Sequence, residues 1–358
     1  FCLKFTKCSN KTPKLRSLEL IGVVLNDLPD DFALSETVYN ALFKSVYPLL
    51  KDPLDTVRLQ AIASLSRLQQ PQDPNDKITS RLNKMLTGDP SKKVREACLR
   101  NIGIINKTLP DVLTRTRDSS ELVRRSAYTL MKEKLGIKSL SISQRNNVLR
   151  NGLRDRNEDV RKECSDMLLN FWLPSCGSVL EFLSLIDVEE NETDATIITE
   201  HIAEKHEMDT KSNPPFTGEV DNEKAFLWKI ICAQINKQKP INWTKLDSVL
   251  INPRDFAKTL EDNISNHFIF KQLLGICKYL DFKDESNRNF IIDKASCKIL
   301  NLETFLINLN VSNEFVALVT DITRPIFRSE SDHAKSIVKI ILKLLENFES
   351  DSKHVAKE

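Results

Sequence analysis

One arrangement of apolar and polar positions recurs along the first half of the chain. Val57, Ala61 and Leu65 stand four apart with polar residues between them. The same trio returns as Val94, Cys98 and Ile102, as Val123, Ala127 and Met131, and as Val160, Cys164 and Leu168. Offsets of 0, +4 and +8 share one face of a helix, so each trio predicts an amphipathic helix with a small residue at its centre. That small residue lets a neighbouring helix approach closely. Each Val is preceded five residues earlier by an Asp and followed at once by an Arg. A degenerate copy lies upstream, with Asn10 for the Asp and Leu15-Arg16 for Val-Arg. The first positions are 10, 52, 89, 118 and 155, so the steps are 42, 37, 29 and 37 residues. Self-similarity at that period marks stacked helical hairpins.

The polar positions of the frame carry their own expectations. Asp is a good N-cap, and Asp55, Glu121 and Glu158 fall three residues later, at the capping-box position. Pro53 and Pro90 would then occupy the first helical position, where a missing N–H costs nothing. The Arg lies off the apolar face, where it can pair with the Asp of its own or an adjacent repeat. Asp52, Arg58, Asp89, Arg95, Asp118, Arg124, Asp155 and Arg161 therefore read as a structural ladder.

Between the copies, the pattern predicts a helix over 14–28 with Leu15, Leu18, Ile21, Val24 and Leu25 inward, and one over 35–50 capped by Ser35. Further helices are predicted over 77–87, 91–107, 119–135, 141–153 and 156–172. A short helix from Leu109-Pro110 to Arg117 accounts for the 29-residue step. The second half is helical but less regular: 178–186, 193–205, 222–238, 253–265, 267–280, 287–299, 302–309, 312–324 and 331–348, with a polar loop over 206–221. No strand-like alternation occurs. The expected division is 1–178 as regular basic repeats, 179–348 as divergent acidic repeats, and 349–358 as a frayed tail.

Composition narrows the function. Eight glycines in 358 residues disfavour phosphate loops and turn-rich β folds. The eight cysteines stand singly, with Cys98 and Cys164 at the small core position, which points to a reducing compartment. No apolar run approaches the ~18 residues of a membrane span, so no membrane partner is expected. The chain opens on Phe1 without a Met, as a fragment would, and its first residues are too charged for a signal peptide. The net charge of +2 hides an asymmetry: residues 77–162 hold 21 Lys and Arg against 9 Asp and Glu. Such a segment suggests an anionic partner, and duplex DNA held by its phosphates fits. Lys92 and Lys93, in the first turn of their helix, are the leading phosphate contacts. Arg115, Arg117, Arg154 and Arg156 lie around the turns of successive repeats and would form a stripe. Arg125 and Lys162 each follow a ladder Arg and are weaker candidates.

Catalytic motifs are missing from the sequence: there is no Walker A, Gly-x-Gly-x-x-Gly, His-Glu-x-x-His or Gly-x-Ser-x-Gly. His201 and His206 are five apart, the wrong spacing for one helix face, so no metal is expected. Glu189-Glu190 reads as solvated loop charge, and Trp172 as a core anchor rather than a base-stacking platform. No catalytic residue and no cofactor is expected.

The Asp, Val-Arg and small-residue frame is that of HEAT repeats. Longer strings narrow the resemblance: Val57–Gln69 with Pro71-Gln-Asp-Pro74, Thr108–Asp118 with Val123-Arg-Arg-Ser-Ala-Tyr128, Leu140–Arg145, Gly152–Arg156, Leu168–Leu173 and Leu180–Glu189. Together they resemble the G-subunit family of condensin, condensin subunit three, well over about 10–190 and loosely beyond. The resemblance implies an all-α, curved α-solenoid of HEAT-type hairpins, beginning inside the family's N-terminal repeats and ending before its C-terminal half. It also implies a non-enzymatic subunit that binds a kleisin along one groove and holds double-stranded DNA. Separate SMC ATPase subunits would be indirect partners. The implied setting is mitotic chromosome condensation, in the nucleus and on chromosomes, with a cytoplasmic pool outside mitosis. Two competing readings share the frame. One is a protein-only adaptor of the transport-receptor or phosphatase-scaffold type, which would not need the basic segment. The other is a HEAT-scaffold base-excision glycosylase, which would need a catalytic carboxylate beside an aromatic cleft.

Overall fold

The computed structural model describes residues 2–29, 32, 34–205, 219–237, 259, 262–263 and 266–277. Every regular element among these residues is helical. They fall in two compact units, Phe1–Ile186 and Asp187–Glu358. The fold is an α-solenoid of HEAT-type hairpins. The polar loop expected over 206–221 lies almost wholly outside the described residues. So do the helix expected over 253–265, for all but three positions, every helix expected after 280, and the tail.

In the first unit a short α1 (Cys2–Phe5) precedes α2 (Lys11–Asn26) and α3 (Glu36–Val46), which runs into a 3-10 turn, Tyr47–Lys51. Hairpins follow: α4 (Asp55–Leu65), α5 (Lys77–Gly88) with α6 (Lys92–Asn101), and α7 (Leu109–Thr114) with α8 (Glu121–Lys134). Then come α9 (Ile142–Leu153) with α10 (Glu158–Asp166), α11 (Leu173–Ser175) and α12 (Val179–Ile186). The helices that carry the recurrent trio, α4, α6, α8 and α10, pack one against the next, and α2 packs on α4. All four Val positions, the four small residues and Leu65, Met131 and Leu168 are fully buried, and Ile102 nearly so. Burying a Val or Leu contributes about 1.5–3 kcal/mol, so this stripe is the core of the unit.

The capping expectation is displaced by two residues. Helices α4, α6, α8 and α10 begin at Asp55, Lys92, Glu121 and Glu158, and their N-caps are Leu54, Ser91, Ser120 and Asn157. The frame Asp therefore sits two residues outside the cap. Its carboxylate accepts the backbone N–H two residues on: Leu54 at 3.0 Å, Ser91 and Ser120 at 2.9 Å, Asn157 at 2.8 Å. This is an Asx-turn, and Pro53 and Pro90 fill it rather than the first helical position. The acids Asp55, Glu121 and Glu158 open their helices instead of closing a capping box. A true capping box forms at Ser141 with Gln144.

Three other expectations shift. Val24 is 60% exposed, because Leu18, Ile21 and Leu25 make the inward face of α2. The helix expected over 91–107 stops at Asn101. There Gln69 donates to Asn101 O at 2.6 Å and accepts from Gly103 N at 3.1 Å. A Cβ on Gly103 would lie 2.3 Å from Pro71 Cγ, so the chain must turn on a residue without one. The helix expected over 156–172 passes at Met167–Trp172 into a π-helix. This wider coil buries both Leu168 and Trp172, and the Trp172 indole donates to Leu135 O at 3.0 Å.

The second unit holds α13 (Glu192–Lys205), α14 (Asn222–Lys237) and α15 (His267–Cys277). α13 packs on α14 and α14 on α15. Ile198, Phe226, Ile230, Leu273 and Ile276 are in its core, and Phe226 stacks on Phe268 at 6.4 Å. Glu192 accepts from Lys271 at 2.7 Å, Gln272 at 3.1 Å and Lys229 at 3.3 Å, binding all three helices. Burial pushes its carboxyl up, but these donors outweigh burial and hold it below the usual range.

The close approach at the small position makes a test. A Cβ on Gly152 of α9 would lie 2.4 Å from Cys164 Sγ and 2.6 Å from Tyr128 Cζ. Both side chains are buried. Gly152→Ala should therefore destabilise by about 1–3 kcal/mol through overpacking, and Val94→Ala by a similar amount through the cavity left behind. Gly88→Ala, with nothing within 4 Å of the new Cβ, should be neutral or better. Urea midpoints followed by circular dichroism check all three.

Candidate nucleic-acid interface

The turns that join the two helices of each hairpin are fastened to one another by side chains. Arg58 Nε and Nη2 meet Asp89 Oδ2 and Oδ1 at 3.0 and 2.9 Å. Arg95 meets Asp118 in the same way at 2.9 and 2.7 Å, and Arg124 meets Asp155 at 2.7 and 2.9 Å. Each is a two-toothed guanidinium–carboxylate contact, the strongest side-chain pairing available. The third nitrogen, Nη1, turns back to the Arg's own repeat. It donates at 2.9 Å to Asp52 O, Asp89 O and Asp118 O in turn. Every rung thus joins one Asx-turn to the next, between adjacent repeats and not within one.

The two ends of the ladder differ. At the head, Lys14 Nζ takes Asp52 Oδ2 at 2.9 Å, while Arg16, which occupies the frame position, is exposed and pairs with Glu19. Lys14 escaped sequence reasoning because it stands two residues off the frame. At the far end, Arg161 keeps the Nη1 bond to Asp155 O, at 2.7 Å.

Asp52, Asp118 and Asp155 titrate below the usual carboxylate range. Burial pushes Asp118 up, but the Arg95 guanidinium and the Ser120 N–H outweigh it and hold the carboxyl below its usual range. Asp155 is depressed against burial by Arg124 and the Asn157 N–H, and Asp52 by the Leu54 N–H and Lys14. On the other side, the bond to Asp118 raises Arg95, and that to Asp155 raises Arg124.

Because the rungs join turns, the residues around those turns line one rim of the first unit. Lys92 and Lys93 open α6 and are exposed, with Lys92 Nζ 4.0 Å from Glu121 Oε1 of the next turn. Arg117, Arg154 and Arg156 are exposed at the following turns, and Arg156 reaches back to Ser119 O at 3.4 Å. Arg125 is exposed one residue after its ladder Arg. Lys162 is exposed and pairs with Glu158 at 2.8 Å, a contact of the surface kind worth little. Arg115 stands apart from the others: its side chain is 16% exposed, and it donates to Asp118 Oδ2 at 3.0 Å and to Leu86 O. It braces a rung and presents little of its charge to solvent.

Sequence reasoning passed over Arg145, which is buried with backbone carbonyls for partners: Ile137 O at 2.8 Å and Leu185 O at 2.6 Å. Burial lowers its pKa. The only signal was its place in the Leu140–Arg145 string. Arg67 similarly reaches the carbonyls of Leu28 and Pro29.

Burial pushes the Cys98 and Cys164 thiols far above the range of a nucleophile. Among the described residues no three His, Cys, Asp or Glu side chains are placed to share a metal ion. His201 is half-buried, which lowers its pKa, and His206 lies outside the described residues. Among the described residues no single helix is long and apolar enough to cross a membrane.

Comparison with known proteins places this geometry. No family model matches the chain. It is 25% identical to condensin complex subunit 3 of Xenopus laevis over 97% of this chain, and 28% identical to that of Homo sapiens over 86%. The subunit of Schizosaccharomyces pombe is 28% identical over 98% of this chain. The chain spans 36%, 33% and 40% of those relatives' own length. Among solved structures, the S. pombe condensin Cnd3–Cnd2 subcomplex contains a chain that matches with a TM-score of 0.82 and 26% identity. That match covers 99% of this chain and 49% of the other. The resemblance to condensin subunit three therefore stands.

The rungs dictate the response to acid. An unfolded Asp titrates near ~3.9, and the folded Asp52, Asp118 and Asp155 titrate lower. Their stabilisation is complete above about pH 4 to 5 and lost as pH falls through the folded values. Asp118→Asn should cost about 3 kcal/mol at pH 7, because it leaves the Arg95 charge half-paired in a buried setting. It should also flatten the decline below pH 4. Urea midpoints measured from pH 7 down to 3 for both chains check this.

Proposed function

We propose that the chain is a non-enzymatic HEAT-repeat scaffold of condensin that binds the kleisin subunit and sequence-independent double-stranded DNA in mitotic chromosome condensation. The observation that carries the reading is the match to a chain of the Cnd3–Cnd2 subcomplex across 99% of this chain. That chain is held in a subcomplex of condensin, and the partner of this chain would be the kleisin in the place of Cnd2, with the SMC ATPases engaged indirectly. Stacked hairpins offer a long surface on which an extended peptide can bury a large area despite its ordering entropy.

The DNA part rests on charge. Lys92, Lys93, Arg117, Arg125, Arg154, Arg156 and Lys162 are exposed on the basic segment. Cations at turns can meet backbone phosphates without reading bases, which suits binding to any sequence. Arg115 would contribute to the potential while bracing Asp118. Nuclear and chromosomal localisation follows from the same reading. A protein-only adaptor would have no use for 21 basic against 9 acidic residues over 77–162.

Two measurements test it. Immobilised condensin kleisin should retain the folded chain, and a folded chain that flows through would refute the kleisin reading. The quadruple replacement of Lys92, Lys93, Arg154 and Arg156 by Glu should weaken binding to every duplex alike and leave helicity intact. The slope of log affinity against log salt should also shrink, by roughly 0.9 for each phosphate that is no longer neutralised.

A further inference from the structure

In the three complete rungs, the Arg uses Nη1 on its own turn and presents the Nε/Nη2 edge to a carboxylate of the next turn. Arg161 has the same place in its helix and the same Nη1 bond, to Asp155 O at 2.7 Å. Among the described residues no carboxylate lies within ion-pair distance of its remaining edge. The nearby Glu158 is bonded to Lys162 instead. Asp155, the acid of this turn, is already held by Arg124. A half-buried guanidinium is thus oriented by one bond, its two-toothed edge meeting no carboxylate of the described residues, beside the exposed Arg154 and Arg156.

The chemistry of that edge is specific. Two parallel N–H groups match two oxygens on one central atom, as in a carboxylate or a phosphate. The Nη1 bond has already restricted the side chain, so less rotamer freedom is lost when the edge is filled. The surrounding charge selects between the two. Around this turn Arg154, Arg156 and Lys162 outnumber the acids left after Asp155 is committed, Glu158 and Asp159. We infer that Arg161 is not a rung of the ladder but a phosphate-binding residue, taking both non-bridging oxygens of one phosphodiester of duplex DNA. This rests on the DNA-binding reading and sharpens it. It separates Arg161 from Arg58, Arg95 and Arg124, which the sequence pattern places in one class with it.

The test compares Arg161→Gln, Arg161→Lys and Arg124→Gln in the full chain. Fluorescence anisotropy with a random-sequence duplex is measured across a salt series, alongside thermal unfolding. Arg161→Gln should weaken binding by about five- to tenfold, with the salt slope reduced by roughly 0.9. Arg161→Lys should keep the slope while losing part of the affinity, since it retains charge without the fork. Both should melt with the unsubstituted chain, whereas Arg124→Gln should melt clearly lower. If the unsubstituted chain binds DNA and Arg161→Gln binds equally well with an equal slope, this inference alone fails. If the unsubstituted chain binds no DNA at low salt, the DNA reading fails and takes this one with it. A fall in melting temperature for Arg161→Gln equal to that of Arg124→Gln would make it a rung. Unchanged DNA affinity with weakened kleisin retention would make its occupant a carboxylate. Either outcome overturns the inference.

Discussion

The two-toothed contact between an Arg of one repeat and the Asp of the next is the constraint on which the first unit depends. Apolar stripes press helices together without direction, because burial depends on area and not on angle. A guanidinium edge against a carboxylate allows one approach and one spacing. With Arg95 on Asp118 at 2.9 and 2.7 Å, two turns that are 23 residues apart in sequence are set side by side. The carboxylate also closes its own turn through the Ser120 N–H. One side chain therefore shapes a local turn and positions a neighbour. Such buried pairs add little net stability over well-packed apolar groups; what they contribute here is alignment.

Much of this was legible in the sequence because it repeats. The trio of large, small and large residues marked the buried face of four helices, and all four Val are buried. The Asp was harder. An Asp before a helix can cap it or can close a turn just outside it, and local sequence suits either. The choice is made by the Arg of the preceding repeat, which is 23 to 31 residues away in the three complete rungs. The end of α6 was equally hidden, since it depends on Pro71 and Gln69 from a different repeat. For the candidate interface, the placement of cations at turns followed from the frame. Which of them are already engaged did not. Arg115 and Arg117 are alike in sequence, yet only Arg115 is drawn onto Asp118.

The ladder also explains where the surplus charge resides. Each complete rung is one cation and one anion, and Arg58 of the first lies outside the basic segment, so the rungs add no positive charge to it. The excess sits on side chains outside them; most of those are exposed, and Lys92, Lys93, Arg117, Arg154 and Arg156 are exposed around the turns. Arg115, which braces Asp118, serves both; the other turn cations named above are separate from the rungs.

Rungs that reach only the adjacent repeat have a mechanical consequence. Removing one of them disturbs the two repeats it joins and no others directly, so coupling along the first unit passes from neighbour to neighbour and decays with distance. Such a body behaves as a one-dimensional chain of weakly correlated segments. Each junction can then loosen on its own terms. At the head the single point of Lys14 stands where the next three junctions have a guanidinium fork, so that ion pair fixes spacing without fixing angle.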